Sequence, residues 1–253
     1  MTATIDWAAY QQSWDRQQAL YMPDREERYT ALLDVVDAVC AGQGRPPRVL
    51  DLAGGTGSIT LRVLDRFPAA EVTVVDVDPA LLAIARGSLG DRAQIVRADL
   101  ATPAWTAALP HRAYDAVLTA TALHWIQSER LAVLYAEVRD VLRDGGVFVN
   151  ADHAVDDGLP TLTKALTDLS RTRREADHAR GEALDWGQWW VEAAADPALA
   201  ELVAERNAHF GGNHAAEFNP PASWHLDALR SAGFREAGLV WRGLTDAGIA
   251  GVR

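Results

Sequence analysis

The residues able to do chemistry gather in a few short stretches. Asp51-Leu52-Ala53-Gly54-Gly55-Thr56-Gly57 joins an acid to a glycine cluster. Two further acids, Asp76 and Asp99, each close a short apolar run. His124 comes just after the run at 114–120, and Asp152-His153 just after the run at 147–151. Glycines let a backbone turn tightly and let a ligand approach closely. A helix opening after such a turn offers unpaired N–H groups. An acid about 20 residues further on, as Asp76 is, can reach a pair of ribose hydroxyls. A neutral imidazole is the side chain whose reference pKa suits it to take a proton near pH 7. The set describes a nucleoside pocket with candidate bases beside it.

Two loop patterns compete. A nicotinamide fingerprint asks for Gly-x-Gly-x-x-Gly, and counting from Gly55 and Gly57 its third position is Thr60, which breaks it. The pattern acid-x-Gly-x-Gly-x-Gly is met from Asp51 to Gly57 with one departure, Ala53 at the first glycine. That change tightens the turn slightly.

On the loop, the ribose-spaced acid and the third-strand acid, residues 45–151 and more faintly 224–253 resemble the class I S-adenosylmethionine (SAM)-dependent methyltransferases. The run Leu142-Arg143-Asp144-Gly145-Gly146 before an apolar strand is similar to the same family. The resemblance implies SAM as cofactor and S-adenosylhomocysteine as product. It places the methionine moiety on Asp51, Ala53, Gly54, Gly55 and Gly57, and the ribose on Asp76. Val77 would pack on the adenine and Asp99 would accept from its amino group, with Leu100 and Thr119 completing the cofactor site.

The elements that must position these groups alternate. Expected strands are 49–52, 72–76, 93–97, 114–120 and 147–151, with helices at about 58–67, from Asp78-Pro79 to about 87–90, and 128–142. Asp78 is the expected N-cap and Pro79 the first helical residue. This rhythm argues for a parallel sheet with right-handed crossovers. Ligands of such a sheet bind beyond the carboxyl ends of its strands, at the topological switch point. A last helix at 223–232 and two strands near 237–241 and 249–252 read as a closing antiparallel hairpin. The fold class is therefore α/β, a three-layer Rossmann-like sheet of seven mostly parallel strands.

Two segments flank that core. Residues 1–44 hold two expected helices. The first carries Trp7, Tyr10 and Trp14 at spacings of three and four, on one face. It reads as a helix docked on the core or as a lid over cofactor and substrate, and the resemblance points to the lid. The second, at 23–41, buries Leu32, Leu33, Val36, Val39 and Cys40. Residues 155–223 depart from the rhythm, with helical patterns at 162–180, 184–195 and 198–209 and then an irregular stretch. Here Trp186, Trp189 and Trp190 stand at helical spacing, either to pack a cap helix or to wall an apolar substrate. The whole reads as one domain, 1–253, with lid helices 1–44, SAM-binding core 45–154, cap 155–223 and closing elements 224–253.

The chain has 253 residues, 49% of them hydrophobic, and a formal net charge of -11. That acidity argues against a nucleic-acid partner. Arg171, Arg173 and Arg174 are interleaved with acids and read as a solvated helix face. No apolar stretch is long enough to span a membrane and 1–21 is not a signal peptide. The single cysteine, Cys40, fits a reducing compartment and the small-residue side of a core, so a cytoplasmic protein is expected.

The expected activity is methyl transfer from SAM to an oxygen, nitrogen or carbon of a small metabolite or natural-product intermediate. His124 is the first candidate base and His153 the second. Trp7, Tyr10, Trp14, Trp125, Trp186 and His214 are candidate substrate contacts, His209 is a further cap candidate, and His111, His178 and His225 read as surface or capping positions. Asp152, His153, His209 and His214 could meet around an ion but show no compact ligand spacing, so no metal is expected. Other SAM chemistry on the same fold, and a non-catalytic SAM-binding partner protein, stay open. The sequence admits a homodimer without requiring one.

Overall fold

A computed structural model describes residues 5–22, 24–181, 184–211 and 217–253. His214 lies outside the described residues. Seven strands form one sheet: β1 (Arg48–Leu52), β2 (Glu71–Asp76), β3 (Gln94–Arg97), β4 (Tyr114–Ala120), β5 (Leu142–His153), β6 (Glu236–Arg242) and β7 (Asp246–Val252). Their order across the sheet is β3-β2-β1-β4-β5-β7-β6. The first five run parallel, and β7 pairs antiparallel with both β5 and β6. The strand order reverses between β1 and β4, so the ends of these two strands border the switch-point crevice.

Both faces of the sheet are covered, because its central strands are apolar on both sides. On one face α2 (Arg25–Cys40), α3 (Ser58–Arg66) and α4 (Pro79–Leu89) pack Leu32, Val36, Val63, Leu82 and Ala85 against Val49, Val74, Leu118 and Val149. On the other, α5 (Ser128–Val141) and α9 (Ala222–Ser231) pack Leu134, Tyr135 and Leu229 against Leu50, Val117 and Phe148. Asp78 caps α4 as expected, accepting from the N–H groups of Ala80 and Leu81.

The flanking segments also dock on α4. α1 (Trp7–Ala19) lies so close that a Cβ on Gly87 would sit 1.9 Å from Trp7 Cγ. α7 (Trp186–Ala195) and α8 (Ala200–Phe210) add Trp189, Trp190, Leu199 and Val203 to Trp14, Leu81 and Ile84 in a third buried cluster. α6 (Pro160–Ala179), by contrast, has no buried position among its described side chains, and Leu162 and Leu169 are exposed.

Two expectations need correction. β5 begins at Leu142 and not at 147, and Arg143–Gly146 form a bulge inside the β4–β5 ladder, because pairing starts at Tyr114–Leu142 and resumes at Ala116–Val147. His225, read as a surface or capping residue, is 3% exposed. Its Nδ1 lies 2.6 Å from the Tyr135 hydroxyl, and burial pulls its pKa down to about 4, leaving it neutral.

Candidate active site at the carboxyl edge of the sheet

The glycine turn forms because β1 ends in a loop whose backbone goes left-handed. Ala53 takes φ +53°, although it stands where the resembled pattern has glycine. An L-residue there carries roughly 1–2 kcal/mol of strain, so the turn is held by its surroundings. Gly54 cannot be replaced: a Cβ would fall 2.7 Å from Asp51 Cγ and 2.8 Å from Val74 Cγ1. Asp51 Oδ2 accepts from the N–H and hydroxyl of Thr60 in the first turn of α3, at 3.1 and 2.7 Å. Its Oδ1 is buried without a hydrogen-bond partner among the described residues. Asp76 closes β2 and accepts from Gly55 N at 2.8 Å and Asp78 N at 2.9 Å.

Burial pushes the carboxyls of Asp51 and Asp76 up to about 6, and each finds a like charge nearby, Asp76 for Asp51 and Asp78 for Asp76. The opposite edge of the sheet behaves otherwise. There Asp115 meets Arg45, Arg143 and Arg48 N at 2.6–2.8 Å, and these partners outweigh burial and hold it at about 2. Asp115 at the amino edge is neutralised within the protein, whereas Asp51 and Asp76 at the carboxyl edge have no cation among their described partners.

Above the glycine turn, Gln11 of α1 donates to Ser58 Oγ at 3.0 Å, and Ser58 donates to Asp15 Oδ1 at 2.7 Å. At the far side, α8 reaches the β2 and β3 ends. Arg206 Nε donates to Asp78 Oδ2 at 2.7 Å, its guanidinium lying 3.8 Å over the Trp190 ring. Arg97 pairs with Glu205 at 2.5 Å, and His209 Nε2 comes within 3.9 Å of Asp99 Oδ2. Val77 O accepts from Arg97 Nε at 3.2 Å, and Leu100 O from Arg130 Nε at 2.7 Å. Thr119 is buried on β4, level with Asn150 of β5, and its hydroxyl has no hydrogen-bond partner among the described residues.

The two histidines meet where β4 and β5 end. After β4, Thr121 takes φ +48°, an outlier for a β-branched residue, and a short 3-10 turn, Leu123–Trp125, presents His124. His124 is 8% exposed. Its Nδ1 lies 2.8 Å from Asp152 Oδ1, and its backbone N–H points to Oδ2 of the same carboxylate at 3.3 Å. Burial opposes ionisation of Asp152, but the His124 hydrogen bond, the charges of both histidines and the His153 N–H outweigh it and hold the carboxyl at about 2. His153 Nδ1 lies 3.0 Å from Asp246 Oδ1, and Asp246 Oδ2 is paired with the buried Arg28 of α2. The His124 ring centroid is 5.3 Å from that of His153 and 4.9 Å from that of Trp125. Ligand atoms of His124, Asp152 and His153 lie within 4.8 Å of one another, so these three could hold an ion.

The aromatic candidates divide. Trp125 stays beside His124. Trp14 instead packs edge-on to Trp186, Trp189 and Trp190, with centroids at 5.5, 4.9 and 6.1 Å. Trp7 packs over Gly87, and the Tyr10 hydroxyl donates to Asp196 at 2.5 Å. These rings hold α1, α4 and the cap together, away from the histidines. Sequence reasoning missed Asp152 as the partner of His124, and it missed Arg28, Asp246, Gln11 and Arg206 altogether. The one available signal was Asp152, one residue past the expected strand 147–151.

Residues 49–146 match the model of a methyltransferase domain. A methyltransferase domain is thus what this stretch of the chain is similar to. The malonyl-[acyl-carrier protein] O-methyltransferase of Geobacter sulfurreducens is 32% identical over 138 residues, 53% of this chain and 49% of that protein. The trans-aconitate 2-methyltransferase of Methylobacterium radiotolerans is 29% identical over 190 residues, 74% and 61% of the two chains. The chain thus spans about half the length of the curated relatives it matches. Human N-acetylserotonin methyltransferase, crystallised with SAM, shares the fold at a TM-score of 0.56 and 15% identity, over 100% of this chain and 60% of that one. No helix of the described residues is long and apolar enough to cross a membrane.

The residues present suit SAM. An orphaned, buried Asp51 oxygen and two carboxyls with raised pKa values make a pocket short of positive charge, and SAM carries an ammonium and a sulfonium. Gly54 lets the loop close against Asp51 and Val74.

Proposed function

We propose that the chain transfers the methyl group of SAM to a small-molecule acceptor, with His124 as general base. The observation that carries this reading is the His124–Asp152 pair at the mouth of the sheet, beside the switch point. When bound, SAM supplies an electrophilic methyl group. Asp51 and residues Ala53 to Gly57 hold its methionine end. Asp76 takes the ribose, Val77 and Leu100 border the adenine, Asp99 accepts from its amino group, and Thr119 closes the floor. Gln11 and Asp15 of α1 and Arg206 of α8 cover the two ends, which makes α1 and α7–α8 the lid.

Asp152 is ionised and only accepts, so the His124 proton sits on Nδ1 and Nε2 faces the acceptor as a base. The same carboxylate steadies the imidazolium formed when the acceptor yields its proton. Trp125 packs on the ring and limits water there. The whole chain acts as one unit, since lid, core and cap all border this edge.

Calorimetry with SAM, S-adenosylhomocysteine and NAD tests the cofactor. SAM or its product should bind and NAD should not; binding of NAD alone would overturn the reading. Labelled methyl from SAM should then appear in an organic acceptor drawn from a cell extract. Binding without such transfer would make the protein a SAM-binding partner.

A further inference from the structure

Three side chains at the mouth of the sheet are of types that ligate transition metals, and the fold brings them together. His124 stands on the 3-10 turn after β4, and Asp152 and His153 close β5. One ligand atom from each lies within 4.8 Å of the other two. Two imidazoles and a carboxylate suit borderline ions such as zinc, whereas magnesium and calcium prefer oxygen ligands alone. The sequence set Asp152 and His153 beside His209 and His214. The fold supplies His124 instead, and His209 lies against Asp99.

The spacing of the rings suits one shared ion. With metal–nitrogen bonds of about 2.0–2.1 Å and ring centres about 1.1 Å behind the ligating nitrogen, two imidazoles at a tetrahedral angle have centroids about 5.2 Å apart. The centroids of His124 and His153 are 5.3 Å apart. That agreement holds whichever nitrogen of each ring binds. The Asp152 carboxylate accepts from the backbone N–H groups of His124 and His153. A carboxylate has about four lone-pair sites, so it keeps room for an ion.

The surroundings hold these ligands in place. His153 Nδ1 lies 3.0 Å from Asp246 Oδ1, and Asp246 Oδ2 pairs with Arg28, whose side chain is 1% exposed. A carboxylate behind a ligating imidazole is the usual outer support of a metal site. Arg28 is one positive charge against two carboxylates, Asp152 and Asp246, so the balance still draws a dication. The side chains of His124 and Asp152 are 8% and 2% exposed, but that of His153 is 33% exposed, which gives the ion a way in.

We propose that His124, Asp152 and His153 bind one divalent transition ion of the zinc type, and that the bound ion silences His124 as a base. Three protein ligands leave at least one position for water. A ligating imidazole must be neutral and gives the metal the lone pair that would accept a proton. His124 therefore serves the ion or the acceptor, not both. The ion site stands on the ligand geometry alone; the silencing rests on the methyltransferase reading above.

The test uses the full chain, stripped of metal with a chelator and titrated at pH 7 with zinc sulfate by calorimetry, with magnesium chloride as control. One zinc should bind per chain and magnesium should give no heat. His153→Phe should weaken zinc binding at least tenfold, and His209→Ala should leave it unchanged. Because His153→Phe could disturb folding, crystals of the unaltered chain grown with zinc give a second measurement. Anomalous scattering at the zinc edge should place the ion about 2.0–2.2 Å from all three ligands. No binding, binding indifferent to His153→Phe, or a peak at other residues means an adventitious ion only and overturns the site. In the labelled-methyl assay, transfer should fall as zinc fills the site and return on adding chelator. Transfer that ignores a filled site, or that requires zinc, overturns the silencing. Zinc binding by a chain that does not bind SAM would fell the methyltransferase reading and leave the ion site standing.

Discussion

Replacing Asp76 by asparagine should make the protein more stable and worse at its work. In the folded chain the Asp76 carboxyl is pushed from 3.8 to about 6 by burial, with Asp78 adding to the rise. The folded state thus holds a proton that the unfolded chain releases, and stability falls as pH rises from about 4 to about 6. Above that window the penalty is complete. A rise of about two units corresponds to roughly 3 kcal/mol. Asparagine removes the charge but offers one acceptor oxygen to two backbone donors, Gly55 N and Asp78 N. Leaving one of them unserved costs about 1–2 kcal/mol. The net gain at pH 7 is about 1–2 kcal/mol, or a few degrees in melting temperature for a chain of this size. Thermal and urea unfolding without cofactor, at pH 7 and at pH 4, measure it; the gain should vanish or invert at pH 4. SAM affinity, read by calorimetry, should fall about 10- to 100-fold through loss of hydrogen bonds to a charged group. A variant less stable at pH 7, or one binding SAM as before, would refute the view of Asp76 as a strained acid kept for its ligand.

Three further outcomes can be measured. His124→Ala should lower turnover roughly 10²–10⁴-fold with SAM affinity near that of the unaltered protein, and its residual rate should climb with pH as hydroxide substitutes; a loss under tenfold would demote His124 to a wall residue. SAM affinity should weaken as pH drops through about 6, where Asp51 and Asp76 take up protons; calorimetry from pH 5 to 8 would show a flat profile if neither acid touches the cofactor. Arg206→Met strands the buried Asp78 carboxylate and should cost about 3–5 kcal/mol, followed by tryptophan fluorescence because Trp190 stacks on that guanidinium.

The parts of the fold written locally were legible. The Asp51–Gly57 turn, the Asp78-Pro79 start of α4 and the strand ends at Asp76 and Ala120 each depend on neighbours a few residues away. The partners of the histidines depend on closure of the sheet. Asp152 lies 28 positions from His124, and Asp246 lies 218 positions from Arg28. No spacing rule joins such pairs; the β5–β7 register does, by setting His153 opposite Asp246. The tryptophan cluster was legible as helical spacing but not as to its use, since only the docking of α1 on α4 shows where those rings point. His225 was misread because its buried partner, Tyr135 on α5, lies 90 positions away in sequence.

β7 sits between β5 and β6 although it is the last strand in sequence, and it carries Asp246. A chain emerging from a ribosome can therefore pair β1 to β5 and bury much of its two core layers while β5 keeps a bare edge. Such an edge is a template for pairing with other chains, and domains of this size pass through exposed intermediates during synthesis. Until β7 zips in, Arg28 waits without its carboxylate and His153 without its anchor. A chain released after β5 but before Asp246 would have the glycine loop in place and the β5 edge open, a template for self-association. The β7 ladder thus both covers the edge of β5 and brings Asp246 to His153.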